Sequence, residues 1–208
     1  MARIYSWNVN GIRAAARKGF FDVLTNSNAD IFCVQETKAQ PDQLSEDFIA
    51  PDGYHSYWSS AERKGYSGVA VFSRTEPLSV SRMEIPRFDS EGRALVLEYP
   101  DFTLIGAYFP NSQEGGRRLD YKLDFCDSMR EICDQLEIRR ELPHAKAGAM
   151  EALAPRSAPA EHLGVLAGVV LRSGARSHFE MRFDAVGDVT QTEHRSLLAV
   201  LVDRETQA

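Results

Sequence analysis

The 208-residue sequence predicts a layered α/β fold on three observations. Apolar residues recur at helical spacing over residues 12–26 and again over 119–136, which indicates two amphipathic helices. Residues 30–35 form a nearly continuous apolar run, typical of a strand that is buried on both faces. The strand-like runs after it are joined by links too short for crossovers, so we expect antiparallel pairing among them.

The individual elements follow from the positions of apolar runs and turn residues. We expect the first two strands at residues 3–6 and 30–35, separated by the helix over 12–26, and a short helix over 43–49. Further strands are expected at residues 54–59, 68–73, 78–83, 94–99 and 102–108. Turn residues separate them, among them residues 89–92 and Pro100–Asp101. The helix over 119–136 follows.

The character of the chain changes after Leu136. Residues 144–161 are rich in Ala and Pro, and the sequence predicts a linker or a broken helix there. Residues 163–171 and 178–186 are expected to form a β-hairpin, and residues 196–202 a last strand. We therefore divide the chain into a front part, residues 1–137, and a tail, residues 138–208.

Composition places the protein among globular proteins, with 43% apolar and 26% charged residues. No apolar run approaches the ~20 residues of a membrane helix, and we expect no membrane association. The start of the chain lacks a signal-peptide pattern. Cys33, Cys126 and Cys133 form no metal or redox motif, so we expect three core residues and a cytoplasmic location.

The formal net charge of −6 argues at first against a nucleic-acid partner. Charge can still segregate between faces of a protein, so the net value does not exclude a basic patch. An acidic metal site also adds carboxylates that a bound cation later offsets. The charge therefore leaves the class of partner open.

Polar residues follow three of the predicted strands, where layered α/β folds place their sites. Asn8 could coordinate a hard cation or donate to phosphate, or simply make a turn. Glu36 could hold Mg²⁺ and Lys38 could neutralise phosphate, although the two could equally form a surface ion pair. Tyr108 could donate a proton or accept one as phenolate, and Asn111 could donate to a phosphoryl oxygen. The alternative for the last two residues is an aromatic strand end before a proline turn.

Five sequence motifs, which follow one another along the chain, contain these residues. They are Trp-Asn-Val-Asn-Gly-Ile-Arg-Ala from Trp7, Gln-Glu-Thr-Lys from Gln35, Ser-Gly-Val-Ala-Val-Phe-Ser from Ser67, Gly-x-Tyr-x-Pro-Asn from Gly106 and Tyr-Lys-Leu-x-Phe from Tyr121. Together they resemble the exonuclease III and abasic-site endonuclease family, which has the endonuclease/exonuclease/phosphatase fold. The resemblance covers about residues 2–135 and implies a layered sandwich of the exonuclease III type.

The resemblance also implies roles by position. Glu36 matches the magnesium-binding glutamate of the family, with Asn8 beside it, and Asn10 stands where some members carry a second carboxylate. Tyr108 matches a tyrosine implicated in cleavage. A further set would contact DNA: Asn10, Lys38, Asn111, Arg117, Arg118 and the loop of Tyr66, Ser67 and Gly68.

The tail departs from the family pattern. The second half of the family fold normally opens with a strand ending in Gly-Asp-x-Asn, and residues 137–160 contain no such motif. Echoes of the family's ending place Asp184 and His194 at the phosphate, with an amphipathic strand and a polar turn as the alternative. We expect a second half that is shortened, diverged or replaced. The alternatives are a fused unrelated module, or shifted-frame or chimeric sequence.

The resemblance implies a Mg²⁺-dependent hydrolase, with Mn²⁺ as an alternative, that cleaves duplex DNA at abasic sites or 3′ ends in base-excision repair. One rival is a catalytically impaired protein that binds DNA or a partner, because the Gly-Asp-x-Asn motif is missing. Another is a phosphoesterase of the same superfamily with a different substrate. Finally, we expect the tail strands or a homodimer to cover an apolar sheet face that the front part would otherwise expose.

Overall fold

A computed structural model describes the secondary structure of residues 3–141, 168–172, 180–182 and 199–202, and the side-chain environments of residues 3–136. The ten strands are β1 Arg3–Asn8, β2 Ile31–Gln35, β3 His55–Ser59, β4 Val69–Ser73, β5 Ser79–Ser81, β6 Ala94–Glu98, β7 Phe102–Ala107, β8 Gly168–Arg172, β9 Glu180–Arg182 and β10 Ala199–Val202. The α-helices are α1 Ile12–Ala16, α2 Phe20–Ser27, α3 Glu46–Ile49, α4 Pro86–Asp89 and α5 Leu119–Glu141. Short 3₁₀ helices lie at Pro41–Gln43 and Glu114–Gly116.

Two five-stranded sheets make the centre of the fold. The first has the order β3-β4-β2-β1-β9, and the second has the order β10-β8-β7-β6-β5. Strands β1 and β2 run parallel, whereas β3, β4 and β2 pair antiparallel, as do β5, β6 and β7. The layered α/β fold predicted from the sequence is confirmed.

Burial explains why each strand is where it is. All five residues of β2 are buried, and they alternate between two faces. Phe32 and Val34 pack on the outer face of the first sheet with α1, α2 and α3, while Ile31 and Cys33 point to the second sheet. The inner core also contains Leu97 and other residues of β6 and β7. The sheets therefore pack face to face, with helices on both outer surfaces.

The second outer layer is formed by α4 and α5. Phe125 and Met129 of α5 are buried against β6, β7 and Phe88 of α4. Cys126 and Cys133 pack beside the same cluster, as the sequence predicted, and Cys33 lies in the inner core.

Two expectations about the fold are wrong, and one short helix is present that the sequence did not predict. The helix over residues 12–26 is two helices, because Gly19 adopts the left-handed region and begins a new helix. The turn over 89–92 is preceded by the short helix α4, which starts at Pro86. The expected hairpin over 163–186 is replaced by a different pairing, because β8 pairs with β7 in the second sheet and β9 pairs with β1 in the first.

The expected reason for a homodimer also fails. The sequence predicts a homodimer only if the apolar face of the first sheet is left uncovered, and β5 to β7 of the front part already cover that face of β1 to β4. The tail strands extend both sheets at their edges instead of covering a face. No helix in the part of the chain that the structure describes is long and apolar enough to span a membrane.

A glycine where the turn before β6 meets the loop after β3 gives a first testable prediction. Gly92 has φ +59°, and a Cβ there would lie 2.6 Å from the carbonyl oxygen of Ser59 and 2.7 Å from the amide nitrogen of Ala61. We expect Gly92→Ala to lower the free energy of unfolding by about 2–5 kcal/mol, from left-handed strain and overpacking against backbone that cannot rotate away.

A matched control separates these two causes. Gly53 has φ +75°, and no atom lies within 4 Å of the position that a methyl group would take there. Gly53→Ala should therefore cost only the conformational strain, about 1–2 kcal/mol. Urea unfolding of both variants measures the difference. Equal losses would show that the backbone contact at Gly92 contributes nothing.

Candidate active site

The carboxyl ends of β1, β2 and β7 meet at one edge of the sandwich. Asn8 ends β1 and is in register with Gln35, the last residue of β2, so Glu36 follows directly beside Asn8. Tyr108 follows β7 on the facing sheet. Polar residues from both sheets therefore share this edge, as parallel β1 and β2 require.

Glu36 is the centre of the contacts at this edge. Asn8 donates from Nδ2 to Glu36 Oε1 at 2.8 Å, and the Lys38 ammonium lies 2.9 Å from Glu36 Oε2. Tyr108 donates a further hydrogen bond to the carboxylate. Lys38 also donates to Asn10 Oδ1. The Glu36 side chain keeps 19% of its surface exposed, so it remains open to a ligand.

The contacts decide the charge states of Glu36 and Tyr108. Burial alone would raise the pKa of Glu36, but hydrogen bonds from Asn8, Lys38 and Tyr108 hold that pKa below its usual value. Burial, followed by the negative charge of Glu36, raises the pKa of Tyr108. Glu36 is therefore a carboxylate at neutral pH, and Tyr108 is a phenol that donates. The phenolate alternative is not favoured.

Several residues at this edge have unusual backbone conformations. Asn10, Glu36, Lys38 and Ser67 all have positive φ, between 47° and 54°. The loops that carry them are joined by backbone hydrogen bonds, including Gly11 N to Glu36 O at 2.7 Å and Lys38 N to Ser67 O at 2.9 Å. Such strain persists where surrounding structure over-determines it, which is a common property of functional sites.

A second group of side chains lies beside Tyr108, and we call it the Arg93 cluster: Tyr66, Glu91, Arg93 and Arg118. Arg93 is only 2% exposed. Its Nη2 donates to Glu91 Oε2 at 2.7 Å and to the Tyr66 hydroxyl at 2.8 Å. Arg118 donates to the other carboxylate oxygen of Glu91 at 2.7 Å and to the same hydroxyl at 2.6 Å.

The Arg93 cluster touches the first group through Tyr108. The Arg93 guanidinium lies 4.8 Å from the centre of the Tyr108 ring, and its Nη1 donates to the Tyr108 carbonyl at 3.3 Å. Tyr66, Glu91 and Arg118 line an open cavity of about 440 Å³ together with Arg63. The two groups are therefore in contact through Tyr108 and the buried Arg93.

The donor set at Glu36 matches a hard divalent cation. Mg²⁺ usually binds one or two carboxylates and completes its shell with water and substrate phosphates. The Glu36 carboxylate is a ligand of that kind. The Asn8 amide donates from Nδ2 to Glu36 and accepts at Oδ1 from the Asn10 amide, so it would offer Oδ1 to an ion beside Glu36 only after the amide group rotates. Among the described residues no three His, Cys, Asp or Glu side chains are grouped as an all-protein site. Glu36 and Asn8 would hold the ion, in competition with Lys38.

The model of the endonuclease/exonuclease/phosphatase family matches residues 5–168, well over half of the chain. The chain belongs to this family. The match includes every strand-end residue described above. The resemblance to exonuclease III-type nucleases in the front part of the chain is therefore confirmed.

Curated members of the family cover the same region. The chain is 40% identical over 140 residues to an exodeoxyribonuclease of Bacillus subtilis, covering 66% of this chain and 54% of that one. It is 41% identical over 143 residues to the DNA repair nuclease APEX1 of Danio rerio, covering 67% and 46%. The chain thus spans about half the length of the curated relatives it matches.

A solved structure of the family supports the fold. The catalytic domain of Xenopus laevis APE2 is similar with a TM-score of 0.54 and 32% identity, over 62% of this chain and 52% of that domain. This likeness confirms the sandwich of the exonuclease III type.

The structure places the predicted site residues in three groups. Asn8, Asn10, Glu36, Lys38 and Tyr108 come together as one cluster. Arg118 belongs to the Arg93 cluster, while Asn111 and Arg117 are exposed in the loop before α5. Asn111 Oδ1 accepts from the Gln113 amide at 2.8 Å, so this side chain shapes the loop. Asp184 and His194 lie outside the described residues.

Some alternatives from the sequence coexist with the functional ones. The Glu36–Lys38 ion pair is present, and Asn8 also accepts from the Asn10 amide at 3.1 Å, as a turn residue does. Asn8 and Glu36 nevertheless contact each other within one polar cluster. Neither an isolated surface ion pair nor an isolated turn requires that contact.

Glu91 and Arg93 are the polar residues that sequence reasoning missed. They lie in the Glu-Gly-Arg segment just before β6, which looked like an ordinary turn. The available signal was an arginine directly in front of an apolar strand. Polar residues that precede a strand can lie at the same edge as those that follow one, because antiparallel strands bring both kinds together.

Proposed function

We propose that this chain provides the cation and phosphate side of a DNA phosphodiester hydrolase that acts at abasic sites or 3′ ends. The observation that carries this proposal is the cluster of Asn8, Glu36 and Tyr108 at one edge of the sandwich. The similarity to an exodeoxyribonuclease and to a DNA repair nuclease supports DNA as the substrate.

Each residue has a role that its contacts allow. Glu36 and Asn8 would hold Mg²⁺, or Mn²⁺, which would supply Lewis-acid stabilisation of charge on the phosphoryl oxygens. Tyr108, held as a phenol, donates to a phosphate oxygen once it is released from Glu36. Lys38, whose ammonium lies 2.9 Å from Glu36, would neutralise phosphate charge at the same edge. Asn111 and Arg117 contact the DNA backbone from their exposed loop.

The proton-accepting group has to come from elsewhere. The side-chain partners of Glu36 among residues 3–136 are Asn8, Lys38 and Tyr108, and each of them acts as a hydrogen-bond donor to the carboxylate. Strand β9 runs parallel to β1 toward the site edge, and Asp184 follows it by two residues in sequence. We propose Asp184, assisted by His194, as that group.

A second candidate function is DNA binding without cleavage. It is favoured by the absence of Gly-Asp-x-Asn after α5, since a positioned base contributes about 10²–10⁴-fold to the rate. A phosphoesterase with another substrate is the remaining candidate.

A cytoplasmic location stays a prediction, as does the division of the chain into a front part and a tail at residue 137.

One assay separates these functions. The purified chain is incubated with a duplex that carries a single abasic site, in Mg²⁺ or in EDTA, and with the same duplex without the lesion. We expect strand cleavage only in Mg²⁺ and mainly at the lesion. Salt-dependent binding without cleavage would support the binding protein instead. Hydrolysis of a small phosphate ester without action on DNA would support the other phosphoesterase.

A further inference from the structure

The Glu91 carboxylate accepts hydrogen bonds from several side chains at once. Oε2 accepts from Arg93 Nε at 2.9 Å and Nη2 at 2.7 Å, and Oε1 accepts from Arg118 Nη2 at 2.7 Å. The Tyr66 hydroxyl donates to Oε2 at 3.3 Å, whereas the Tyr121 hydroxyl donates to the Arg87 carbonyl at 3.2 Å. One carboxylate thus organises two arginines and Tyr66.

The two arginines lead in different directions from Glu91. Arg93 is buried and reaches the ring and the carbonyl of Tyr108, beside Glu36. Arg118 keeps 22% of its side chain exposed and lines the cavity beside Tyr66. Its guanidinium also lies 4.1 Å from the centre of the Tyr121 ring. Any shift of Glu91 would therefore move groups at both the site and the cavity.

We propose that Glu91 is a positioning residue, which fixes Arg93 behind Tyr108 and holds Arg118 at the cavity in the orientation that contacts a DNA backbone phosphate. This inference rests on the proposed function, because the phosphate belongs to the DNA substrate. Glu91 itself touches no substrate. Its contribution is to hold a guanidinium whose planar donors match phosphate only in a fixed orientation.

The sign of the charge effect makes the proposal testable. A carboxylate beside a DNA-binding surface repels phosphate, so its removal should strengthen binding if charge alone matters. A positioning carboxylate has the opposite effect, because Arg118 loses its orientation when the carboxylate is removed. Glu62, an exposed carboxylate beside the same cavity, supplies the matched control.

The experiment compares Glu91→Gln with Glu62→Gln. Binding to a non-cleavable abasic duplex is measured in EDTA over a range of salt concentrations. We expect Glu91→Gln to bind roughly tenfold more weakly, as for one lost charge-assisted hydrogen bond, with a salt slope shallower by about 0.9. Glu62→Gln should bind at least as tightly as the parent protein. Binding of Glu91→Gln that is unchanged or tighter overturns the proposal.

A second measurement does not depend on DNA. Amide hydrogen exchange over residues 112–121 should accelerate in Glu91→Gln and stay unchanged in Glu62→Gln. If the parent protein neither binds nor cleaves DNA, the proposed function fails, and with it the role of Arg118 toward phosphate. If the parent protein binds DNA but amide exchange in Glu91→Gln is unchanged, the positioning role alone is overturned.

If Glu91→Gln does not fold, a variant that changes no charge provides the test. Tyr66→Phe removes the hydroxyl that bridges Arg93 and Arg118 but alters no charge. We expect weaker DNA binding and a shallower salt slope in the same direction. Parent-like values for both would overturn the proposal.

Discussion

Glu36→Gln is expected to lower Mg²⁺-dependent cleavage of an abasic duplex by at least about 10²-fold. A bound cation contributes several kcal/mol to the transition state, and each 1.4 kcal/mol is about tenfold in rate. Glutamine keeps the size of the side chain and can still accept from Asn8 and Tyr108, but it removes the charge that binds the cation. The readout is the single-turnover rate with saturating protein.

The control is Glu76→Gln, which removes an equal charge from an exposed turn after β4, at the opposite edge of the first sheet. It should cleave like the parent protein. A rate for Glu36→Gln within about threefold of the parent, less than 1 kcal/mol, would place the cation site elsewhere.

The same variant has a readout that needs no substrate. Burial is the largest cause of the raised pKa of Tyr108, and the charge of Glu36 is the next. We expect Glu36→Gln to lower that pKa while leaving the contribution of burial. Ultraviolet titrations of the variant and of the parent protein measure the difference in the pKa of Tyr108. An unchanged pKa would contradict the contact between Glu36 and Tyr108.

Arg93→Met is expected to lower the free energy of unfolding by about 3–5 kcal/mol, the cost of removing one partner from a buried ion pair. The Arg93 side chain is 2% exposed, and methionine replaces none of its hydrogen bonds to Glu91, Tyr66 and Tyr108. Glu91 retains Arg118, which places the loss toward the lower end of the range. Urea unfolding measures it.

An exposed ion pair of equal length provides the control. Arg87 and Asp124 are also 2.7 Å apart, but 52% and 51% of their side chains are exposed. Arg87→Met should therefore cost less than about 1 kcal/mol. Similar losses in both variants would show that burial of Arg93 does not set the strength of its interactions.

The dominant patterns of the fold were predictable because they depend on residue type along short stretches. The run of residues 30–35 became β2, all of it buried, and the helical spacing over 119–136 became most of α5. Asn8, Glu36 and Tyr108 were predictable as site residues because each directly follows an apolar run. Parallel strands then bring such ends together without further information.

The pairing of the tail strands was not predictable in the same way. Alternating apolar residues indicate a strand but contain nothing about its neighbour. Strands β8 and β9 are close in sequence and yet lie in different sheets, beside β7 and β1. Their partners are set by which edges remain open once the residues of the front part have formed both sheets.

Local sequence determined the layered fold, the strand ends and the residues Asn8, Glu36 and Tyr108 as candidates for cation and phosphate. Tertiary structure alone decided that Arg93 is buried and that Glu91 joins it to Arg118. A charged guanidinium can leave water only when partners distant in the chain surround it. For Arg93 those partners are Tyr66, 27 residues away, and the Tyr108 carbonyl, 15 residues away, in addition to Glu91.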